Sequence, residues 1–335
     1  MEVNPSIPME RTGKIIRRSI HTYLKNYQYF TSTTALLIFP VSVAILLSQA
    51  IIPSSSFLLP TIYTRLESIF YAAGFPESSQ FFSILNLKLS QTICSSIFTL
   101  PFTLSFLLFA KSSIIKALHH QNPSLRPSFS SIFPLCYPLL LTHLCNSFVI
   151  LAANASALAI LFLTFNSIDA FGVSSPSFLL FLSATGAVLY SVILAHTIIT
   201  CNLALIVAGM ENCGGYLAIL KACVLIRGRS STTLLLALPF NLGLAAVEAL
   251  FQYRVVRLSL LSDKFSSSMA FEGLVIAYLY SILILLDTIT TCEFFKSSKS
   301  NYRMDLEDKY YYLIELLPEE DSGAFTNSKN LEELP

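Results

Sequence analysis

The sequence holds 335 residues, 54% of them hydrophobic and only 12% charged, with a mean hydropathy of +0.65; ordinary soluble domains carry about 25% charged residues, so the composition marks an integral membrane protein. The formal net charge of +1 supplies no clustered basic face, which excludes a nucleic-acid partner. What charges there are inform by position.

Residues 1–29 are too polar for a signal peptide, which needs an apolar core near its start. From Met9 to Tyr29 the residues Ile15, Ile16, Ile20, Tyr23, Leu24 and Tyr27 recur at helical spacing among Arg11, Lys14, Arg17, Arg18 and Lys25. That pattern predicts a cytosolic basic amphipathic helix on the membrane surface. A transit peptide is the competing reading, and Glu2 and Glu10 count against it.

A helix crossing the hydrocarbon core needs about 20 apolar residues, and by that measure the chain carries six spans. They are expected at about Phe30–Ile52 and Thr92–Ala110, containing Pro40 and Pro101, then Leu139–Phe165, starting after Pro134 and Pro138. The fourth, Phe178–Met210, is longer than a bilayer requires and must tilt or project. Thr232–Phe251 and Phe271–Phe294 complete the set. The prolines predict kinks, because neighbouring helices can satisfy the carbonyls they free.

Basic residues precede the first span and recur in the second loop (Lys111, Lys116, Arg126) and the fourth (Lys221, Arg227, Arg229), while the third has only Asp169. The positive-inside rule then puts both termini in the cytosol. The fifth loop, with Arg254, Arg257 and Lys264 against Asp263, is discordant. Asn154-Ala155-Ser156 is a glycosylation sequon inside the third span, out of reach of a transferase.

The expected organisation is a basic segment over 1–29, a six-span domain over 30–296 and an acidic, disordered cytosolic tail over 297–335. In that tail Tyr310 to Leu317 offers a short docking element for a protein partner. The seven cysteines show no CxxC pair and no zinc spacing, and read as small buried hydrophobes. Cys292, at the end of the last span, is a candidate for acylation.

No catalytic motif, metal cluster or cofactor motif is found, so no catalytic, metal or cofactor residue is assigned. Intramembrane polar residues are the better leads, since an unpaired ionisable group in lipid costs at least a few kcal/mol. They are His143, Asn146 and Asn154 in the third span, His196 and Asn202 in the fourth, Asn241 and Glu248 in the fifth and Asp287 in the sixth. One reading has Glu248 and Asp287 lining a proton or substrate path with a histidine. The favoured one places them in the headgroup zone near Arg254 or Lys296, with the asparagines as interhelical hydrogen-bond partners.

A second constellation lies between Thr200 and Arg229. Glu211 sits at the membrane exit, Gly214 and Gly215 permit a sharp turn, and Tyr216, Leu217, Leu220, Val224 and Leu225 form an apolar stripe beside Lys221. This predicts a helix–turn–helix in the interface, with Lys221, Arg227 and Arg229 reaching anionic headgroups. A structural role for this device is favoured over lipid recognition.

Glu211, the glycine pair, Ala218, Lys221, Leu225 and the closing Arg227-Gly228-Arg229 resemble the signature of a plant family of six-span membrane proteins of unknown function. The opening ERTGKIIRRSIHTYLKNYQYF, the first span ALLIFPVSVAILLSQAI and the loop AKSSIIKALHHQNPSLRPSFSSIF are similar to that family too. More distantly the chain resembles the membrane domain of some bacterial glycerophosphodiester phosphodiesterases. It carries no phosphodiesterase domain, so no enzymatic activity is implied. It departs from the family at Ala222-Cys223, where a small hydroxyl residue is usual.

The sequence therefore predicts an all-α, polytopic bundle of six transmembrane helices with an N-terminal interfacial helix. The endoplasmic reticulum or plasma membrane is its expected site, and anionic lipids are its expected partners. The function expected is non-enzymatic membrane organisation or lipid handling. The alternative is a small-solute or proton-coupled transporter using His143, His196, Glu248 and Asp287, which requires those four side chains to share one cavity.

Overall fold

The computed structural model describes residues 8–53, 58–72, 80–119, 129–170, 176–257 and 267–316. Among them every regular element is a helix. The amphipathic segment forms α1 (Pro8–Lys25); α2 (Tyr27–Thr33) and α3 (Phe39–Ile51) carry the first span; α4 is Leu58–Ala72; α5 (Gln80–Phe102) and α6 (Leu108–His119) carry the second. Then follow α7 (Phe129–Ala170), α8 (Pro176–Glu211), the short α9 (Tyr216–Ile226), α10 (Ser230–Phe251) and α11, which runs Ser267–Leu316. Six apolar stretches are long enough to cross a membrane: Tyr27–Ile51, Phe82–His119, Phe133–Ser167, Leu180–Glu211, Ser230–Val256 and Ser267–Ser300. These are the six read from the sequence. The chain divides into two compact units, Met1–Phe294 and Phe295–Pro335, and the site residues all belong to the first.

Cross-span hydrogen bonds set the direction of neighbouring helices. Tyr29 bonds to Ser113, while Ser48 meets Ser95 at 2.7 Å; the low number of one helix pairs with the high number of the other, so spans one and two are antiparallel. Spans three and four repeat the pattern, with the Asn146 amide donating to the Cys201 carbonyl at 2.8 Å and the Tyr190 hydroxyl to Asn154 at 2.6 Å. In spans five and six the Tyr280 hydroxyl donates to Glu248 at 2.7 Å. Two of the asparagines thus serve as the expected interhelical links.

Large apolar side chains such as Phe30, Ile38 and Leu285 are fully buried between the helices, and small residues let those helices approach. Small and polar side chains fill the seams: Ser42, Ser112, Ser113, Ala204, Ala208, Ala218 and Ala222 are fully buried, while Leu180, Phe181 and Phe148 face outward. Lipid tails are as apolar as leucine, so close backbone approach rather than burial of large side chains drives association. At Gly209 a Cβ would come within 2.6 Å of the Ile115 side chain.

Several boundaries differ from expectation. Prolines do not delay the third span: α7 begins at Phe129 and passes through both Pro134 and Pro138. Proline is tolerated inside a membrane helix where neighbouring groups or a local adjustment can satisfy the carbonyl it leaves without its donor, so the helix need not wait. Pro40 and Pro101 sit beside π-helical stretches, Thr34–Ile38 and Thr103–Leu107, and a third, Gln252–Val256, extends α10. A wider turn is one way to absorb a missing N–H, and the Ser105 hydroxyl takes the Pro101 carbonyl at 2.6 Å. The first loop contains α4, which was not foreseen. At 36 residues α8 is about 54 Å long, well beyond a hydrocarbon core of about 30 Å.

The amino-terminal helix does more than rest on a surface. α1 packs against α10, with Thr12 and Ser19 buried and Ile20, Leu24 and Tyr27 left outward. Arg18 reaches Glu293 of α11 at 3.1 Å. Two turns separate Thr12 from Ser19, so both lie on one face. α11 continues to Leu316, inside the stretch read as a disordered tail, and residues 317–335 lie outside the described residues. None of the seven cysteines is in a disulfide. Cys292 is fully buried, which corrects its candidacy for acylation.

The tightest backbone approach lies where α8 turns into α9. A Cβ on Gly214 would fall 2.9 Å from the Pro138 Cα and 3.1 Å from its carbonyl oxygen, and Gly215 adopts φ +75°. Its N–H donates to the Thr142 hydroxyl at 2.9 Å, and that hydroxyl donates to the Pro138 carbonyl at 2.7 Å. Gly214→Ala should lower stability in detergent by about 1–3 kcal/mol, since backbone cannot yield to the added methyl. Gly13→Ala, where nothing lies within 4 Å of the added atom, should be neutral or stabilising by up to about 1 kcal/mol. Thermal unfolding of the two variants checks the contrast.

Candidate functional site

Most of the residues singled out from the sequence fall into three separate places. The first is the α8–α9 corner. Lys221 of α9 donates to Glu211 at the end of α8 at 2.7 Å and to the Cys213 sulfur at 3.6 Å. Its ammonium is therefore engaged across the turn and is not a free reach toward headgroups. The hydrogen bond to Glu211 raises the Lys221 pKa above its ordinary range. Gly214 and Gly215 supply the close approach to α7, and Gly228 takes φ +79° to end α9. Tyr216, Leu217, Leu220 and Val224 face outward while Ala218, Ile219, Ala222 and Ile226 pack inward. The signature Glu211, Gly214, Gly215 and Lys221 thus builds one rigid joint, whereas Arg227 keeps its guanidinium exposed.

The second place is a broad cleft of about 940 Å³ between the first, second and fifth spans. From α3 it takes Ser48 and Gln49; from α5 it takes Lys88, Gln91, Thr92, Ser95, Ser96 and Thr99. The far end of α10 and the π-helical stretch after it bring Glu248, Gln252 and Arg257. Tyr280 fixes the Glu248 carboxylate from behind, and Arg257 lies 5.6 Å over the Tyr253 ring. Ile45, Ile52, Ala245 and Ala249 supply an apolar part of the wall. Leu46, Phe251, Val255, Ile276, Ala277 and Tyr280 form the packed cluster that holds the fifth and sixth spans against the first.

Only Glu248 of this cleft stood out in the sequence. The missed signal is the polar series Lys88, Gln91, Thr92, Ser95, Ser96 and Thr99 inside an apolar span. Its spacing of three and four places all six on one helix face. Arg257, discordant when read as loop charge, lines the same cleft; Lys264 and Asp263 lie outside the described residues.

The third place is a pocket of about 30 Å³ among α8, α10 and α11, where Asn202, Asn241 and Asp287 meet Thr233, Thr290 and Thr291. It is large enough for a water molecule. The Thr290 hydroxyl there is buried without a partner. His143 of α7 lines neither this pocket nor the cleft. His196 lies elsewhere, exposed on the outer face of α8. The four side chains His143, His196, Glu248 and Asp287 therefore do not share one cavity.

A family model described as a domain of unknown function, DUF8558, matches residues 11–313. No curated protein and no solved structure matches the chain.

The corner joint can be read through pH. A raised folded-state pKa means that the Lys221–Glu211 pair contributes fully below the ordinary lysine value of 10.5 and fades as pH rises through the higher folded value. Water around the half-exposed Lys221 screens the pair, so Glu211→Gln should cost only about 0.5–1 kcal/mol at neutral pH. The unfolding temperatures of wild type and variant should converge on the alkaline side of that value.

Proposed function

We propose that this chain, which belongs to the DUF8558 family, is a non-enzymatic lipid-handling membrane protein that seats the polar head of an amphiphile in the cleft between its first, second and fifth spans. The observation that supports this reading is the composition of the wall. Hydroxyl and amide side chains from three spans converge there with two cations and one carboxylate, beside an apolar strip. A head and the start of a chain need that mixture in one place. Binding fits the cleft better than catalysis does, because among the described residues Glu248 is the one carboxylate lining it and no histidine or cysteine does.

Orientation follows from the same reading. With both termini cytosolic, the cleft, formed at the outer ends of the first and fifth spans, opens toward the lumen or the cell exterior. Lys88 and Arg257 then have a local task in the wall, which accounts for one of the fifth loop's discordant cations. Transport through the four ionisable residues lacks the shared cavity it required.

The test is mass spectrometry of lipids that copurify with the full-length protein, repeated with Lys88→Ala and Arg257→Ala combined. Removing two cations should weaken retention of a phosphate-bearing amphiphile by about 2 kcal/mol, some twenty- to thirtyfold. An unchanged lipid profile would rule the cleft out as the binding site.

A further inference from the structure

Two more cavities meet at His196. One, of about 530 Å³, lies where α8, α9 and the start of α10 come together, and Arg227, Gly228, Ser230 and Thr200 line it beside Ile219 and Ile226. The other, of about 430 Å³, continues along α8 past Ala195, Ser191 and Ala187, with Leu234 of α10 on its side. From His196 back to Ala187 the helix rises about 13 Å. The pair therefore runs from a cationic chamber at the end of the bundle into an apolar groove along the span.

We infer that this notch binds one anionic phospholipid, with its phosphate at Arg227 and an acyl chain in the groove toward Ala187. Charge complementarity carries the head. The Arg227 guanidinium is exposed and bonds to no other described side chain, and among the described residues no carboxylate lines either cavity. Guanidinium is a planar, two-pronged donor matched to phosphate oxygens. Ser230 opens α10, so the first backbone N–H groups of that helix, unused within it, border the same chamber.

Shape carries the tail. Ala187, Ser191 and Ala195 repeat every four residues and leave a shallow furrow on one face of α8, while Val188, Val192 and Leu234 stand outward as its banks. The furrow opens sideways, toward lipid, which is how a chain already in the membrane enters without crossing polar ground. Lys221 is tied to Glu211 and does not compete for the head. This site is distinct from the cleft, which forms among the first two spans and the far end of the fifth.

Full-length protein would be reconstituted in nanodiscs of mixed phosphatidylglycerol and phosphatidylcholine, re-extracted, and examined by native mass spectrometry. Wild type should retain one phosphatidylglycerol. Arg227→Gln should lower that retention about fivefold, the worth of one cation at the membrane surface. Ser191→Phe, at an exposed position, should fill the furrow and lower it comparably with the cation intact. Lys88→Ala should leave it unchanged, which separates this site from the cleft. Should Arg227→Gln fail to fold, Ser230→Glu on the same wall reads the same electrostatics. Retention indifferent to both the charge and the furrow substitutions would mean an unspecific lipid annulus and overturn the inference. Loss with Arg227→Gln alone, together with displacement by inorganic phosphate, would mean a soluble-anion site and overturn it equally.

Discussion

Everything in this bundle depends on one constraint: in hydrocarbon, a polar group that finds no partner inside the protein finds none at all. The seams are arranged around it. Serine and threonine hydroxyls along the helices return to carbonyls three or four residues back, as Thr34 does to Phe30 at 2.7 Å and Ser112 to Leu108 at 2.8 Å. Groups that cannot be satisfied within their own helix reach across, as Asn146 and Tyr190 do. With most polar demand met in this way, alanine, serine and glycine can bring backbones close around the large apolar residues that fill the interior, such as Phe30, Ile38 and Leu285.

The α8–α9 corner concentrates the same economy in a few residues. A turn between helices exposes backbone amides, and here that of Gly215 is met by a side chain of α7. Thr142 accepts from the Gly215 amide and returns its own proton to Pro138. Glu211 and Lys221 close the turn from the other side. Glycine at 214 is required because backbone, not a side chain, occupies the space a Cβ would need. That four signature residues act in one joint accounts for their grouping in sequence without invoking a ligand for any of them.

How much was legible varied with the kind of signal. All six spans could be read, because about 20 apolar residues in succession is a constraint of length that few other structures meet. The helix–turn–helix at Glu211 was legible as well, since paired glycines and an isolated acid punctuate an otherwise apolar run. What the sequence concealed was convergence. Lys88, Gln91 and Ser95 form a visible stripe on α5, yet nothing local says that Gln49 and Arg257 stand opposite. His143, His196, Glu248 and Asp287 looked alike as intramembrane ionisable groups and face different surroundings, because helix rotation sets what a side chain meets. Proline misled at the start of α7, because a membrane helix tolerates it where the freed carbonyl can be satisfied otherwise, and α4 was missed because its short apolar pattern fell below the length used to find spans.

The docking of α1 also bears on how the chain is assembled. Its buried face meets α10 and its Arg18 meets Glu293, a partner that emerges from the ribosome some 275 residues later. Until the fifth and sixth spans are in place, α1 lacks the contacts with α10 and Glu293 that bury its Thr12 and Ser19 face. α1 and the last span therefore lock into place together, so that removing the last span also leaves α1 without its Arg18–Glu293 pair.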